Sequence, residues 1–420
     1  MLLISTWSRP FIKAAVVLLF IGSSIGSAWM LTLSGYSVGI PVVAFTLHKE
    51  LQTGAVTLLI MGVMYMLLPR IRSIKFTHVR EAKVSFALMI MALILHSSRI
   101  IAMDMVNGTT IGGTTIGAST LASTITVASH MLKITALALF SMVMMLMLRV
   151  APRVGRLADY YFILALAMLI IYNILLAIAD IGIGMDSLNL IYIWLTSVIL
   201  TIFGVQYKVV PVFFNQSTPM SGIDKVAFIS ALASSSLLLL QLFLYAVIAI
   251  MVSALTFAYS IYTMRRLTIP EFLYTSDDPQ AGEKVARLRF FATLLRISYV
   301  MLLLGLISAL LYAINPSFNL YDLAIHIITI GFIGITIMNF MPIMLPPILG
   351  RNVNYTRFNM VPLIVLLTAV ALRIAWNTIP YIIHVERVVF GISGIVTVAA
   401  MLLYINMLHL SMDHPSSHPA

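Results

Sequence analysis

The chain has no cysteine, which rules out disulfides, thiolate metal sites and cysteine nucleophiles. Charge is scarce too: Asp, Glu, Lys and Arg make up 9% of the 420 residues, against about 25% in soluble proteins. Acidic residues are the scarcest, 14 against 25 Lys and Arg. No stretch is long and polar enough for a separate soluble domain. The longest such segment, 265–289, reads as a loop. No Walker, Rossmann or Ser-His-Asp pattern stands out.

What fills the chain instead is apolar: 61% of residues are hydrophobic. They come in runs of roughly 20, the length that crosses a ~30 Å hydrocarbon core. Eleven segments stand out: 11–33, 45–69, 84–103, 118–149, 159–181, 187–213, 226–264, 290–313, 320–347, 360–378 and 385–411. The first is too long for a signal-peptide core and is kept as a span. The seventh is too long for one crossing, since as a single helix it would run about 58 Å. As a hairpin it supplies two spans.

Charge placement supports the hairpin. Lys and Arg cluster at 70–83, 149–156, 208–225, 265–289 and 351–357, whereas the alternate connections 34–44, 104–117, 182–186 and 314–319 carry almost none. If positive loops face the cytoplasm, two passes are needed between Lys225 and Arg265. The expectation is an all-α, polytopic membrane helix bundle of about twelve transmembrane helices, with both termini cytoplasmic. The net charge of +11 then reflects topology and contact with lipid headgroups, not nucleic acid. Asn107-Gly108-Thr109 is a glycosylation sequon in an expected outer loop.

Three spans share an ending: Gly62 to Pro69, Gly204 to Pro211 and Asn339 to Pro346. Eight residues before each first position stand Gly54, Thr196 and Gly331. The period is four spans, which divides the chain into repeat units of approximately 1–150, 151–288 and 289–420 within one membrane domain. Small residues at such positions let helices approach closely in lipid, and each proline is expected to end its helix at the cytoplasmic face.

This plan resembles the catalytic subunit of haem-copper oxidases and nitric oxide reductases, with spans two, six and ten as inner helices. More closely, His326-Ile-Ile-Thr-Ile-Gly331, then Pro346-Pro-Ile-Leu-Gly350-Arg351 and Ala371-Leu372-Arg373, resemble a region of the NnrS family, membrane proteins tied to nitric oxide metabolism. Glu50-Leu51-Gln52-Thr53-Gly54 is similar to the NnrS segment in which His-Glu precedes a helix glycine. Here Lys49 holds that His position and His48 stands one residue upstream. The resemblance implies haem b. It does not extend to a dinuclear haem–copper centre, because spans six to eight contain no histidine. Copper has no ligand set to support it, and the 27 methionines read as packing and lipid-facing filler.

Ionisable residues inside spans are costly and mark functional positions. By span direction, His48, Glu50, His96, Arg99, His326 and Arg373 fall toward the outer face, and His130 and Lys133 somewhat deeper. His48 and His326 are the candidate axial imidazoles of a haem. Arg99 and Arg373 are candidates for its propionates, and His96 and His130 are further cofactor-binding candidates. His130 with Lys133 could instead line a polar path or pair with Asp180. The bland alternatives stay open: interfacial or hydrogen-bonding histidines, and arginines snorkelling to the interface. The functional expectation is a haem-binding protein of the cell membrane, in respiratory electron transfer or nitric oxide handling. Its partners would be respiratory-complex subunits or an external electron carrier. The rivals are a non-catalytic anchoring subunit and a secondary transporter.

Overall fold

In a computed structural model of the chain, the described residues are 6–33, 43–109, 116–150, 156–182, 187–214, 222–261, 281–349, 351, 353–378 and 383–412. They form twelve helices: α1 (Arg9–Leu33), α2 (Val43–Ile71), α3 (Val79–Thr109), α4 (Ile116–Val150), α5 (Arg156–Asp180), α6 (Ser187–Phe213), α7 (Ile223–Leu239), α8 (Phe243–Ser260), α9 (Ala281–Ile314), α10 (318–349), α11 (Val361–Thr378) and α12 (Ile383–Ser411). Among the described residues there is no strand, only an isolated bridge between Val353 and Met412. The chain is a multi-pass membrane helix bundle.

The long seventh segment breaks where the charge argument requires. α7 ends at Leu239, Gln241 takes a left-handed backbone conformation with φ of 59°, and α8 begins at Phe243. Serines tie the two helices together: Ser234 Oγ donates to the Ala246 carbonyl and Ser253 Oγ to that of Ala227, both at 2.8 Å. Among the described residues, eleven helices are long and apolar enough to cross a membrane. α7 has 17 residues, about 25 Å of helix and the lower end of the spanning range. Its Val226, Ile229 and Leu232 stand exposed, as do Ile94 on α3, Met131 on α4, Ile364 on α11 and Leu402 on α12. So much exposed aliphatic surface requires a lipid solvent.

Some boundaries differ from expectation. α2, α6 and α10 each run two or three residues past Pro69, Pro211 and Pro346. α9 starts at Ala281, so Lys284, Arg287 and Arg289 lie in its first turns, not in a loop. α3 runs to Thr109 and takes in the Asn107 sequon. The most buried spans are those of the shared ending: over the 18-residue apolar stretch of each, 72% is enclosed in α2, 83% in α6 and 67% in α10, against 28–44% for the other spans.

The chain divides into two compact units, Ser5–Thr201 and Ile202–Ala420, with the division inside α6. In the first, Tyr65 of α2 is fully buried, packed against Phe11 of α1 and Phe140 of α4, with its hydroxyl 3.0 Å from Ser85 Oγ of α3. Gly54 lets α3 close in: a Cβ there would fall 2.5 Å from a methyl of Leu93. The first half of α6 joins this unit through Ser197 Oγ, which donates to the Ala165 carbonyl at 2.8 Å.

In the second unit, Phe203 of α6 stacks on Phe257 of α8 with centroids 4.1 Å apart, and Tyr299 of α9 donates to Gln206 at 2.5 Å. Tyr404 of α12 donates to the Met338 carbonyl of α10 at 2.7 Å. α10 itself is not uniform: Phe318–His326 and Ile335–Leu349 are α-helical, but Ile327–Gly334 between them is a π-helix. Such wide turns are frequent at functional sites. Gly331 sits in this segment, where an added Cβ would lie 2.9 Å from that of Met301 on α9.

Candidate functional site

Each unit carries a buried group of ionisable side chains. In the first, four helices contribute: Glu50 from α2, His96 and Arg99 from α3, His130 and Lys133 from α4, and Asp180 from the end of α5. Lys133 Nζ donates to Glu50 in a close ion pair, with both side chains about 5% exposed. His130 Nε2 lies 2.8 Å from Asp180 Oδ2, and His96 Nε2 lies 3.9 Å from the same oxygen. The two imidazoles meet edge to face with centroids 5.1 Å apart. Arg99 acts electrostatically on Asp180, and its Nε is buried without a hydrogen-bond partner among the described residues. Removing charges from water costs several kcal/mol each, so only mutual pairing makes this cluster tolerable.

Hydrogen bonding fixes the His96 tautomer. The Ser129 hydroxyl donates its one proton to the Thr126 carbonyl at 2.8 Å, so it accepts from His96 Nδ1, 3.2 Å away. His96 Nδ1 therefore carries the proton and Nε2 keeps its lone pair, aimed toward Asp180.

The second unit holds Asp322 and His326 of α10, Arg373 and Asn377 of α11, and Ser393 and Phe390 of α12. Arg373 grips Asp322 with two parallel bonds, Nε to Oδ2 at 2.6 Å and Nη2 to Oδ1 at 2.5 Å. This is the fork geometry that suits a guanidinium to a carboxylate. Asn377 adds a bond to Asp322 at 3.1 Å, and the Arg373 guanidinium lies 4.3 Å over the Phe390 ring. Arg373 Nη2 also lies 3.1 Å from His326 Nε2, while His326 Nδ1 lies 2.8 Å from the Asp322 carbonyl.

His48 lies outside the group of its own unit. It is two residues from Glu50, which turns it about 200° around α2, toward α1 instead of α4. There its Nδ1 lies 2.7 Å from the Gly22 carbonyl. Gly26 makes room for the ring, since a Cβ at that position would lie 2.5 Å from Nδ1.

The fold thus brings His96, His130 and Arg99 together, puts Arg373 beside His326 and keeps His48 apart with α1. Arg373, a candidate for a cofactor carboxylate, holds a protein carboxylate. Asp322 is the residue that sequence reasoning passed over. The signal was there, because it is the one acidic residue of its span and lies one turn before His326. His384, His414 and His418 fall outside the residues whose side chains are described.

A sequence profile of one protein family, a domain of unknown function (DUF8744), matches residues 114–412. The chain belongs to that family. The match takes in His130, Lys133, Asp180, Asp322, His326 and Arg373, and leaves α2 and α3, with Glu50, His96 and Arg99, outside it. The family description assigns no activity. No curated protein matches the chain.

Proposed function

We propose that the protein binds haem b in the cell membrane and serves respiratory electron transfer or nitric oxide handling, without a dinuclear haem–copper centre. One observation carries the reading. Both candidate imidazoles have Nδ1 against a backbone carbonyl, Gly22 for His48 and Asp322 for His326. A carbonyl oxygen only accepts, so Nδ1 holds the proton and Nε2 keeps the lone pair that iron requires. The two residues fit unequally. At His326, Arg373 Nη2 lies 3.2 Å from Nδ1 and 3.1 Å from Nε2, over the ring face, and that arginine is tethered by Asp322, so a fixed cation is stacked on the imidazole that iron would use. His48 fits better. A bound haem would supply one-electron chemistry, and these residues would hold and orient it.

The reading keeps both termini cytoplasmic, on the strength of the Lys- and Arg-rich alternate connections, and takes respiratory-complex subunits or an external electron carrier as partners. The test is a reduced-minus-oxidised optical spectrum of detergent-purified protein expressed with ample haem. We expect a b-type spectrum that His48→Ala abolishes and that Gly26→Ala, by crowding the ring, shifts or weakens. Protein that carries no haem under those conditions would leave the anchoring-subunit reading in its place.

A further inference from the structure

We infer that His96, His130 and Asp180 form a binding site for one divalent first-row transition-metal ion. This site is independent of the haem proposal, since neither His48 nor His326 takes part. The sequence offered no ligand set of this kind; the fold assembles one from three helices.

One ligand atom from each residue can be chosen so that all lie within 4.8 Å of one another. Asp180 Oδ2 is 2.8 Å from His130 Nε2 and 3.9 Å from His96 Nε2. Ligand atoms about 2.0–2.2 Å from one tetrahedral ion sit roughly 3.3 Å apart, so rotamer shifts of about half an ångström, and at most about 1.5 Å for the widest pair, bring the three onto one ion. His96 is prepared for the role, because Ser129 holds its Nδ1 proton and leaves the Nε2 lone pair toward Asp180. This is the backing that ligating histidines ordinarily have. At His130 the ion replaces the proton that otherwise bridges Nε2 and Asp180. That proton moves to Nδ1, which is buried without a partner among the described residues, so His130 is the less prepared of the two imidazoles.

The chemistry of the set selects the ion. Two imidazoles with one carboxylate suit zinc, iron(II) or a neighbouring metal and disfavour magnesium and calcium, which prefer all-oxygen sites. Three protein ligands leave a coordination position for water or a small molecule. Both histidines are buried, 4% and 1% exposed, but the Asp180 side chain is 26% exposed, which gives the site a path outward at the end of α5. Glu50 and Lys133 neutralise each other nearby. Arg99, the cation acting on Asp180, opposes a dication.

The experiment is a cobalt(II) titration of detergent-purified full-length protein, made without a polyhistidine tag and stripped with chelator, followed by zinc(II) competition. One equivalent of cobalt is expected to produce visible d–d absorption that zinc abolishes. His96→Ala and His130→Ala should each weaken binding by at least about tenfold, whereas Arg99→Gln should tighten it. If the histidine variants aggregate, Asp180→Asn, isosteric and partly exposed, replaces them with the same expectation. Absence of binding by the unaltered protein overturns the proposal, as does full-affinity binding in the variants.

Discussion

At the scale of single residues, the strongest physical statement concerns Glu50 and Lys133. Each is buried among apolar helices, and neither would be tolerated alone. Lys133→Ala leaves a carboxylate with its main partner gone, and breaking a buried pair in this way costs about 3–5 kcal/mol. Thermal unfolding in detergent should show that loss. The double change Glu50→Gln with Lys133→Met should recover most of it, because the desolvation cost goes with the charges. Full stability of Lys133→Ala would mean that Glu50 is neutral or solvated. Arg373 poses the same problem with a different answer: its fork on Asp322 is bidentate, so a lysine, with one compact charge, is not a conservative exchange there.

At the scale of elements, α10 is unlike its neighbours. Its π-helical segment follows His326 directly and carries Gly331 against Met301. The neighbouring atom is a Cβ, which cannot swing away, so a methyl at 331 must push α9 and α10 apart. Gly331→Ala is expected to destabilise by about 1–3 kcal/mol through overpacking, read as a lowered melting temperature. An unchanged melting temperature would show that α9 gives way freely. By contrast Gly54 faces the mobile end of Leu93, so alanine there should cost less.

At the scale of the molecule, the number of passes decides where the termini lie. Twelve crossings put both on one side; eleven would separate them. The chain contains no cysteine, so single cysteines can report on topology without background. With a membrane-impermeant maleimide, Ser317→Cys, before α10, should label in intact cells. Ser73→Cys, after α2, should label only after permeabilisation. Labels on Ser73→Cys in intact cells would reverse the orientation, and a tag fused at each terminus would then report whether α7 and α8 both cross.

Composition and charge placement alone determined the class, the spans and the break in 226–264. These follow from local physics: hydrocarbon thickness sets helix length, and a 58 Å helix has nowhere to go. The ionisable residues within the spans were legible too, because burying any of them in lipid is costly. Of their partners, only Asp180 for His130 was among the readings. That Lys133 meets Glu50, that Arg373 holds Asp322, and that His48 turns toward α1 depend on which helix faces which and on rotation about each axis. A one-residue step turns a side chain by about 100°, and linear spacing says nothing about the neighbouring helix it then meets. The metal-ligand set of His96, His130 and Asp180 is a property of that tertiary arrangement, since its members lie 34 and 50 residues apart along the chain.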